Sequence, residues 1–304
     1  MNEYEGRPLA RPARDLDDQG LGFDVGTLIH RRQVLRLLGV GAVGLSGVGA
    51  LGACSDTGSD TGSDSDTGGS AGGSADEIPQ ETAGPYPGDG SNGPDVLERS
   101  GVVRSDIRSS FDGATGTAQG IPMTLTLTVL DLANDGRPFT GTAVYVWHCD
   151  REGRYSLYSQ EITQENYLRG VQIADEAGQV RFTSIFPTCY SGRWPHLHFE
   201  VYAARADITD ATKAIATSQV ALPEDTCDTV YATTGYEASV RNLAGVTLAT
   251  DNVFGDDDGI AQLATVTGDT RTGYTVALTV GVDTRTAPGS GGGTGGPGGP
   301  PPGS

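Results

Sequence analysis

Residues 190–203 read YSGRWPHLHFEVYA, and the second half of this stretch has the alternation of a β-strand. Successive side chains of a strand point to opposite faces, so His196 and His198 project to one side and Leu197 to the other. The chain of 304 residues has only four histidines, and two of them stand in this strand. Two imidazoles on one face of a strand are a candidate metal site.

Two tyrosines accompany this strand in the sequence. Tyr190 opens the stretch, and Tyr155 follows the turn at which an earlier predicted strand ends. A phenol binds a metal as phenolate once a strongly charged cation lowers its pKa from about 10. In the ordinary alternative, Tyr190 and Trp194 cap the edge of a sheet, and Arg193 is a surface cation.

Alternating and β-branched runs recur along the chain between Gly and Asp turns, and no long stretch has a 3.6-residue period. Short helices are expected over 207–216 and 223–229. The pattern predicts an all-β fold, an antiparallel β-sandwich whose long loops carry the function. The predicted strands are Met123–Leu132, Thr142–Cys149, Gln179–Ile185, Leu197–Ala203, Ile260–Val266 and Tyr274–Val282.

Residues 1–54 resemble a twin-arginine export signal, because an arginine pair precedes an uncharged run that ends in Leu-Gly-Ala-Cys. That ending resembles a lipoprotein box, which would leave Cys54 as a lipid-modified N-terminus. A plain signal peptide cut near Ala53 is the alternative. A permanent transmembrane helix is disfavoured, since the run is shorter than the ~20 residues that span a bilayer. We therefore expect export to the cell surface or the exterior.

Three further segments follow this signal. Residues 55–80 are mainly Ser, Asp, Thr and Gly, and residues 287–304 are mainly Gly and Pro, so both are expected to be disordered. Residues 81–286 between them are predicted to form one sandwich domain. The formal net charge of −19 argues against a nucleic-acid partner, since phosphate binding needs clusters of Lys and Arg.

Three cysteines lie in the predicted domain: Cys149, Cys189 and Cys227. One disulfide and one free thiol would suit an oxidising exterior. The sequence does not choose the pair.

Several segments together resemble, in content and in order, the intradiol ring-cleaving dioxygenases, a family of non-haem Fe(III) enzymes that includes catechol and protocatechuate dioxygenases. The resemblance covers most of Glu81–Tyr202, and it implies a transthyretin-like (prealbumin-like) antiparallel β-sandwich. The segments that carry it are Glu81–Tyr86, Arg104–Ile107, Val146–Ser156, Leu168–Gln172, Asp175–Gly178 and Ile185–Tyr190, followed by His-x-His.

The resemblance implies a role for each of five residues. Tyr155, Tyr190, His196 and His198 match the protein ligands of Fe(3+), and Arg193 matches the active-site arginine. In that family a catechol displaces the axial tyrosine, here Tyr190, and O2 opens the ring between the two hydroxylated carbons. An anhydride intermediate then yields a muconate-type diacid. Members are often oligomeric, so the resemblance allows a homo-oligomer as well as a monomer.

The chain departs from the family pattern at two positions. Cys189 stands where the family often has a bulky residue, so the identity of the catechol is left open, and Pro87 stands where a second tyrosine is frequent.

Two other functions stay open at this stage. One is a catalytically silent β-sandwich binding module. The other is a metalloenzyme that uses another metal at the same histidines, completed by a carboxylate such as Glu200, which shares their strand parity. His148 belongs to the strand before the turn, and we predict that it packs or hydrogen-bonds rather than binding the metal.

Overall fold

The computed structural model describes residues 76–286, together with the backbone of two short paired strands, β1 (Glu3–Tyr4) and β2 (Arg7–Pro8). The predictions of an export signal, of lipidation at Cys54, of a disordered linker up to residue 75 and of a disordered tail from residue 287 fall on residues outside this description. None of the described helices is long and apolar enough to cross a membrane.

Residues 76–286 contain nine strands and two α-helices. The helices are α1 (Glu224–Tyr231) and α2 (Glu237–Leu243). The strands are β3 (Pro122–Asp131), β4 (Arg137–Pro138), β5 (Ala143–Trp147), β6 (Arg169–Ile173), β7 (Gln179–Ile185), β8 (His196–Tyr202), β9 (Ala214–Ala221), β10 (Thr265–Asp269) and β11 (Gly273–Val282).

The strands form two sheets. The first has the order β10-β11-β3-β4, with β7 also paired to β3, and the second has the order β6-β5-β8-β9. All pairs are antiparallel except β3 with β11, which run parallel. The predicted all-β sandwich is confirmed. It differs from a wholly antiparallel arrangement only in this parallel pair of strands.

The two faces of the second sheet enter different hydrophobic clusters. Leu197 and Phe199 of β8 join the main core with residues of the first sheet such as Leu125. Tyr145 and Trp147 of β5 enter a second cluster on the other face. All seven residues of β8 are buried, so the histidine face of this strand is covered by further chain rather than by solvent. A sheet covered on both faces provides a dry and rigid base for a site.

The sequence located some elements better than others. The strand 179–185 was predicted with the observed bounds, and the helix near 223–229 is present as α1. The helix predicted over 207–216 is wrong, because two short 3-10 turns are followed there by β9. The strand predicted over 260–266 begins only at Thr265. Strand β9 is rich in Ala, Ser and Thr, and its pairing with β8 decides its state.

The ordered domain begins before Glu81. Ile78 is buried in the main core, and its N–H donates to the carbonyl of Gly281 in β11 at 2.9 Å. Farther along, the N–H of Glu81 donates to the carbonyl of Thr217 in β9 at 2.7 Å. The N-terminal segment therefore passes from β11 of the first sheet to β9, the edge strand of the second sheet that pairs with the histidine strand.

Candidate metal centre

Four side-chain donor atoms meet on the outer face of the second sheet. Tyr155 Oη lies 3.4 Å from Tyr190 Oη and 3.4 Å from His198 Nε2. His196 Nε2 lies 3.1 Å from Tyr190 Oη and 3.2 Å from His198 Nε2. All four side chains are buried. Donor atoms held about 2.0–2.2 Å from one ion, as in protein metal sites, would have mutual distances of this size.

The second sheet and its loops position these side chains. His196 and His198 are alternate residues of β8, so they share one face, as their spacing predicted. Trp147 lies directly opposite His198 on β5, and the two rings stack in parallel with centroids 4.9 Å apart. Gly84 covers His198 from the N-terminal segment at a φ of +72°, where a Cβ would lie 3.2 Å from the imidazole. Glycine suits both the left-handed backbone and the close approach.

His196 presents an unprotonated nitrogen to the centre, and both imidazoles are neutral. His196 Nδ1 lies 2.6 Å from the carbonyl of Trp194, so it carries the proton that it donates there, and Nε2 keeps its lone pair. Burial lowers the pKa of His196 and of His198 well below the ordinary value, so both rings are neutral. His198 Nδ1 is buried and has no hydrogen-bond partner within the described residues. A cation beside the two Nε2 atoms would bind the lone pair of His196 and, in the tautomer that carries its proton on Nδ1, that of His198.

The two phenols also suit a strongly charged cation. Burial raises the pKa of Tyr190 to about 12 and that of Tyr155 well above the ordinary value, so both phenols keep their protons when no cation is near. A trivalent cation would reverse this preference, and two phenolates would neutralise two of its three charges. Two phenols and two neutral imidazoles therefore fit a ferric ion by their chemistry.

Two nearby residues lie outside this cluster. His148 contacts Ser184 Oγ at 2.7 Å through Nε2 and the carbonyl of Cys149 at 2.8 Å through Nδ1, which confirms its predicted hydrogen-bonding role. Glu200 accepts a 2.7 Å hydrogen bond from Tyr202, and burial raises its pKa to about 8. Within residues 76–286, no group of three or more His, Cys, Asp or Glu could hold a metal ion. A centre made of His196, His198 and Glu200 is therefore not supported.

Arg193 is a buried residue and not a surface cation. Its Nε donates to Asp251 Oδ2 at 2.9 Å, and its Nη2 donates to Gln219 Oε1 at 2.7 Å. Asp251 Oδ2 also accepts from the N–H of Trp194 at 2.6 Å. Gln219 pairs with His198 across β8 and β9 and donates to the carbonyl of Thr82 at 3.1 Å. These contacts fix the guanidinium beside the histidine strand.

Arg169 fastens the N-terminal segment to the loop that carries Tyr155. Its guanidinium is buried and donates to the carbonyls of Tyr86 at 2.9 Å, Pro87 at 2.7 Å and Ser156 at 3.0 Å. Tyr86 in turn packs against the ring of Tyr155, with centroids 4.9 Å apart. The sequence placed Arg169 in a motif of the resemblance but assigned it no function, because its partners lie far away along the chain.

The expected disulfide is not present. Cys149, Cys189 and Cys227 are free and buried. Burial raises the pKa of Cys189 to about 12, so its thiol stays protonated and unreactive. The three thiols therefore act as small apolar side chains in the interior.

Glu81 brings a buried carboxyl group to the region of Arg193. Its Oε1 lies 3.4 Å from Gln262 Nε2, and its Oε2 has no hydrogen-bond partner within the described residues. Burial, followed by the negative charge of Asp256, raises its pKa from 4.5 to about 7. Asp257 raises the pKa further, whereas Gln262 and Arg193 lower it.

This carboxyl predicts a pH dependence of stability. Between pH 4.5 and 7 the folded protein keeps a proton on Glu81 that the unfolded chain releases. The group's stabilising contribution is thus fully present below pH 4.5 and is lost as the pH rises through 7. We expect Glu81 to lower the free energy of unfolding by roughly 2–3 kcal/mol as the pH rises across this range. Glu81→Gln should abolish this part of the pH dependence, as measured by urea denaturation at several pH values.

The matched control is Glu98→Gln, since Glu98 is exposed and should leave the pH profile of stability as in the wild type. Parallel profiles for the wild type and Glu81→Gln would contradict the assignment of a neutral, buried Glu81.

The amino-acid sequence is similar to known dioxygenases. The family model described as Dioxygenase matches residues 92–216. A catechol 1,2-dioxygenase of Pseudomonas sp. (strain EST1001) is 37% identical over 93 residues, which are 31% of this chain and 28% of that protein. A chlorocatechol 1,2-dioxygenase of Rhodococcus opacus is 38% identical over 55 residues, which are 18% of this chain and 21% of that protein. The matched part thus spans less than a third of either relative.

Solved structures are similar over a larger share of the chain. An intradiol ring-cleavage dioxygenase from Tetranychus urticae has a TM-score of 0.53 and 23% identity, and the match covers 70% of this chain and 96% of that chain. A second dioxygenase structure has a TM-score of 0.55 and 22% identity over the same shares. At these identities the likeness establishes the fold, and it agrees with the two-sheet sandwich described above.

Proposed function

We propose that the chain is an intradiol ring-cleavage dioxygenase, which opens catechol-type rings between the two hydroxylated carbons with O2 and gives muconate-type diacids. Fe(3+) would be held by Tyr155, Tyr190, His196 and His198. The observation that carries the proposal is the mutual contact of these four donor groups at 3.1–3.4 Å. The part-length match to catechol 1,2-dioxygenases supports the substrate class.

When bound, the ferric ion would supply a Lewis-acidic centre that favours the deprotonated catechol and requires no external reductant. Tyr190 then has a second use. Its phenol has a pKa of about 12 in the buried site, so a phenolate released from the centre would readily accept a proton from the incoming catechol. Ligand exchange and base catalysis would be one event at the Tyr190 oxygen.

Arg193 would stabilise negative charge that develops on the substrate. A guanidinium keeps its charge at any working pH, and it acts more strongly in a site shielded from water. Its hydrogen bonds to Asp251 and Gln219 hold it in one orientation before substrate arrives, so little reorganisation is needed during the reaction.

We also propose that the protein is exported by the twin-arginine route and anchored through a lipid on Cys54. That route carries folded proteins, so the iron would be loaded before export. Globomycin treatment of producing cells is expected to block processing at Cys54, whereas processing that continues unchanged would favour the plain signal peptide.

The test of the activity is a visible spectrum of iron-loaded protein before and after anaerobic addition of catechol. Tyrosinate on Fe(III) is expected to give a burgundy protein with a broad band, and catechol should shift that band. Zinc-loaded protein is the matched control and should be colourless. Admission of O2 should then yield a muconate-type product, which is detected by its ultraviolet absorbance. An iron-loaded protein with no band, or a band that catechol leaves unchanged, would contradict the proposal and favour a silent module.

A further inference from the structure

The helices α1 and α2 hold the backbone that leads into Tyr190. The hydroxyl of Tyr236 donates to the carbonyl of Phe186 at 2.7 Å, and the hydroxyl of Tyr231 donates to the carbonyl of Pro187 at 3.2 Å. Both tyrosine side chains are buried. These helices lie outside residues 92–216, the part of the chain matched by the family model.

Helix α2 also holds the peptide groups on both sides of Cys189. The N–H of Cys189 donates to Ser239 Oγ at 3.1 Å, and the carbonyl of Cys189 accepts from Asn242 Nδ2 at 2.9 Å. Ser239 Oγ is further hydrogen-bonded to Thr188 Oγ1. Every residue from 186 to 189 is thus tied to a side chain of α1, α2 or the short turn between them.

The chain is fixed again just after Tyr190. The N–H of Arg193 closes a turn on the carbonyl of Tyr190 at 3.4 Å, and the N–H of Trp194 donates to Asp251 at 2.6 Å. The backbone is therefore restrained on both sides of Tyr190, whereas the phenol oxygen contacts only Tyr155 and His196 among the described hydrogen bonds.

We propose that Ser239 and Asn242 are positioning residues for Tyr190, which restrict its exchange at the centre to rotation of the side chain. The inference rests on the proposed function, in which Tyr190 leaves when catechol binds. A phenol that must leave and return in every turnover needs a backbone that keeps its place, because an error of about 1 Å in a reacting group can cost a 100-fold loss of rate.

Asn242→Asp is the sharpest variant because the two side chains have the same shape. A carboxylate has no proton to donate, so it would place negative charge against the carbonyl of Cys189. Ser239→Ala is the second variant and removes the acceptor of the Cys189 N–H. Arg241→Gln is the matched control, since Arg241 is an exposed residue of the same helix.

The experiment uses the full, iron-loaded chain. Asn242→Asp and Ser239→Ala are expected to shift the tyrosinate band and to lower kcat for catechol roughly 10- to 100-fold while KM stays within about twofold. Hydrogen exchange of the peptide amides in residues 186–190 should accelerate in both variants. Arg241→Gln should match the wild type in all three measurements.

The outcomes separate the two proposals. A wild type with the band and with turnover, beside variants whose band and kcat stay within about twofold of it, would overturn the positioning role and leave the proposed function standing. A fall in melting temperature alone, without a change of band or kcat, would also overturn it, since a merely structural contact behaves in that way. A colourless iron-loaded wild type would overturn both proposals.

Discussion

Tyr155→Phe is expected to abolish tight binding of Fe(III) and, with it, the visible band and turnover. The variant removes the one phenol oxygen that contacts both Tyr190 and His198, each at 3.4 Å. Its ring remains to pack against Tyr86, so the change tests the donor atom and not the packing. We expect a loss of iron affinity of more than about 100-fold, which exceeds the usual effect of residues outside the ligand set.

Iron content after gel filtration and the visible spectrum would measure this effect. Tyr158→Phe provides a matched control, because Tyr158 also packs against Tyr86 but hydrogen-bonds to Gly88 and Asn92 instead of the donor cluster. It should keep its iron and its colour. A Tyr155→Phe protein that binds one iron with an unchanged band would remove Tyr155 from the ligand set. Substitution of His196 or His198 by Ala is expected to act as Tyr155→Phe does.

Arg193→Ala is expected to keep the iron and to lose rate. The Arg193 side chain makes no described hydrogen bond to the four donor atoms, so the tyrosinate band should persist. In contrast, kcat should fall roughly 100- to 1000-fold, as when a preorganised donor is removed from other active sites. The substitution should also lower the stability of the fold. Asp251 would remain buried without its partner, and breaking such a buried pair typically costs about 3–5 kcal/mol.

The kinetic and the structural effects of Arg193→Ala can be separated. Urea denaturation measures the stability, and steady-state rates at low temperature measure kcat on protein that is still folded. Arg108→Ala is the control, because the pair of Arg108 with Asp106 is exposed and should change stability by less than about 1 kcal/mol. Unchanged kcat in folded, iron-loaded Arg193→Ala would exclude Arg193 from the chemistry.

The sequence predicted the strands whose apolar residues alternate, and with them the face shared by His196 and His198. It did not predict β6, which is a short strand with a glycine, or β9, whose small residues have little preference for a sheet. Both lie beside other strands of the second sheet, and that pairing decides their state.

The donor residues of the site followed from local spacing and from the order of motifs, because strand parity acts between neighbours in the chain. The supporting residues did not. Asp251 holds Arg193 from a distance of 58 positions, Arg169 reaches Tyr86 across 83, and Asn242 reaches Cys189 across 53. No periodicity or turn signal encodes such pairs, since they form only when packing brings distant segments together. The stretch from Tyr190 to His198, together with Tyr155, thus determined which atoms could bind a metal, whereas the tertiary structure decided what holds those atoms in place.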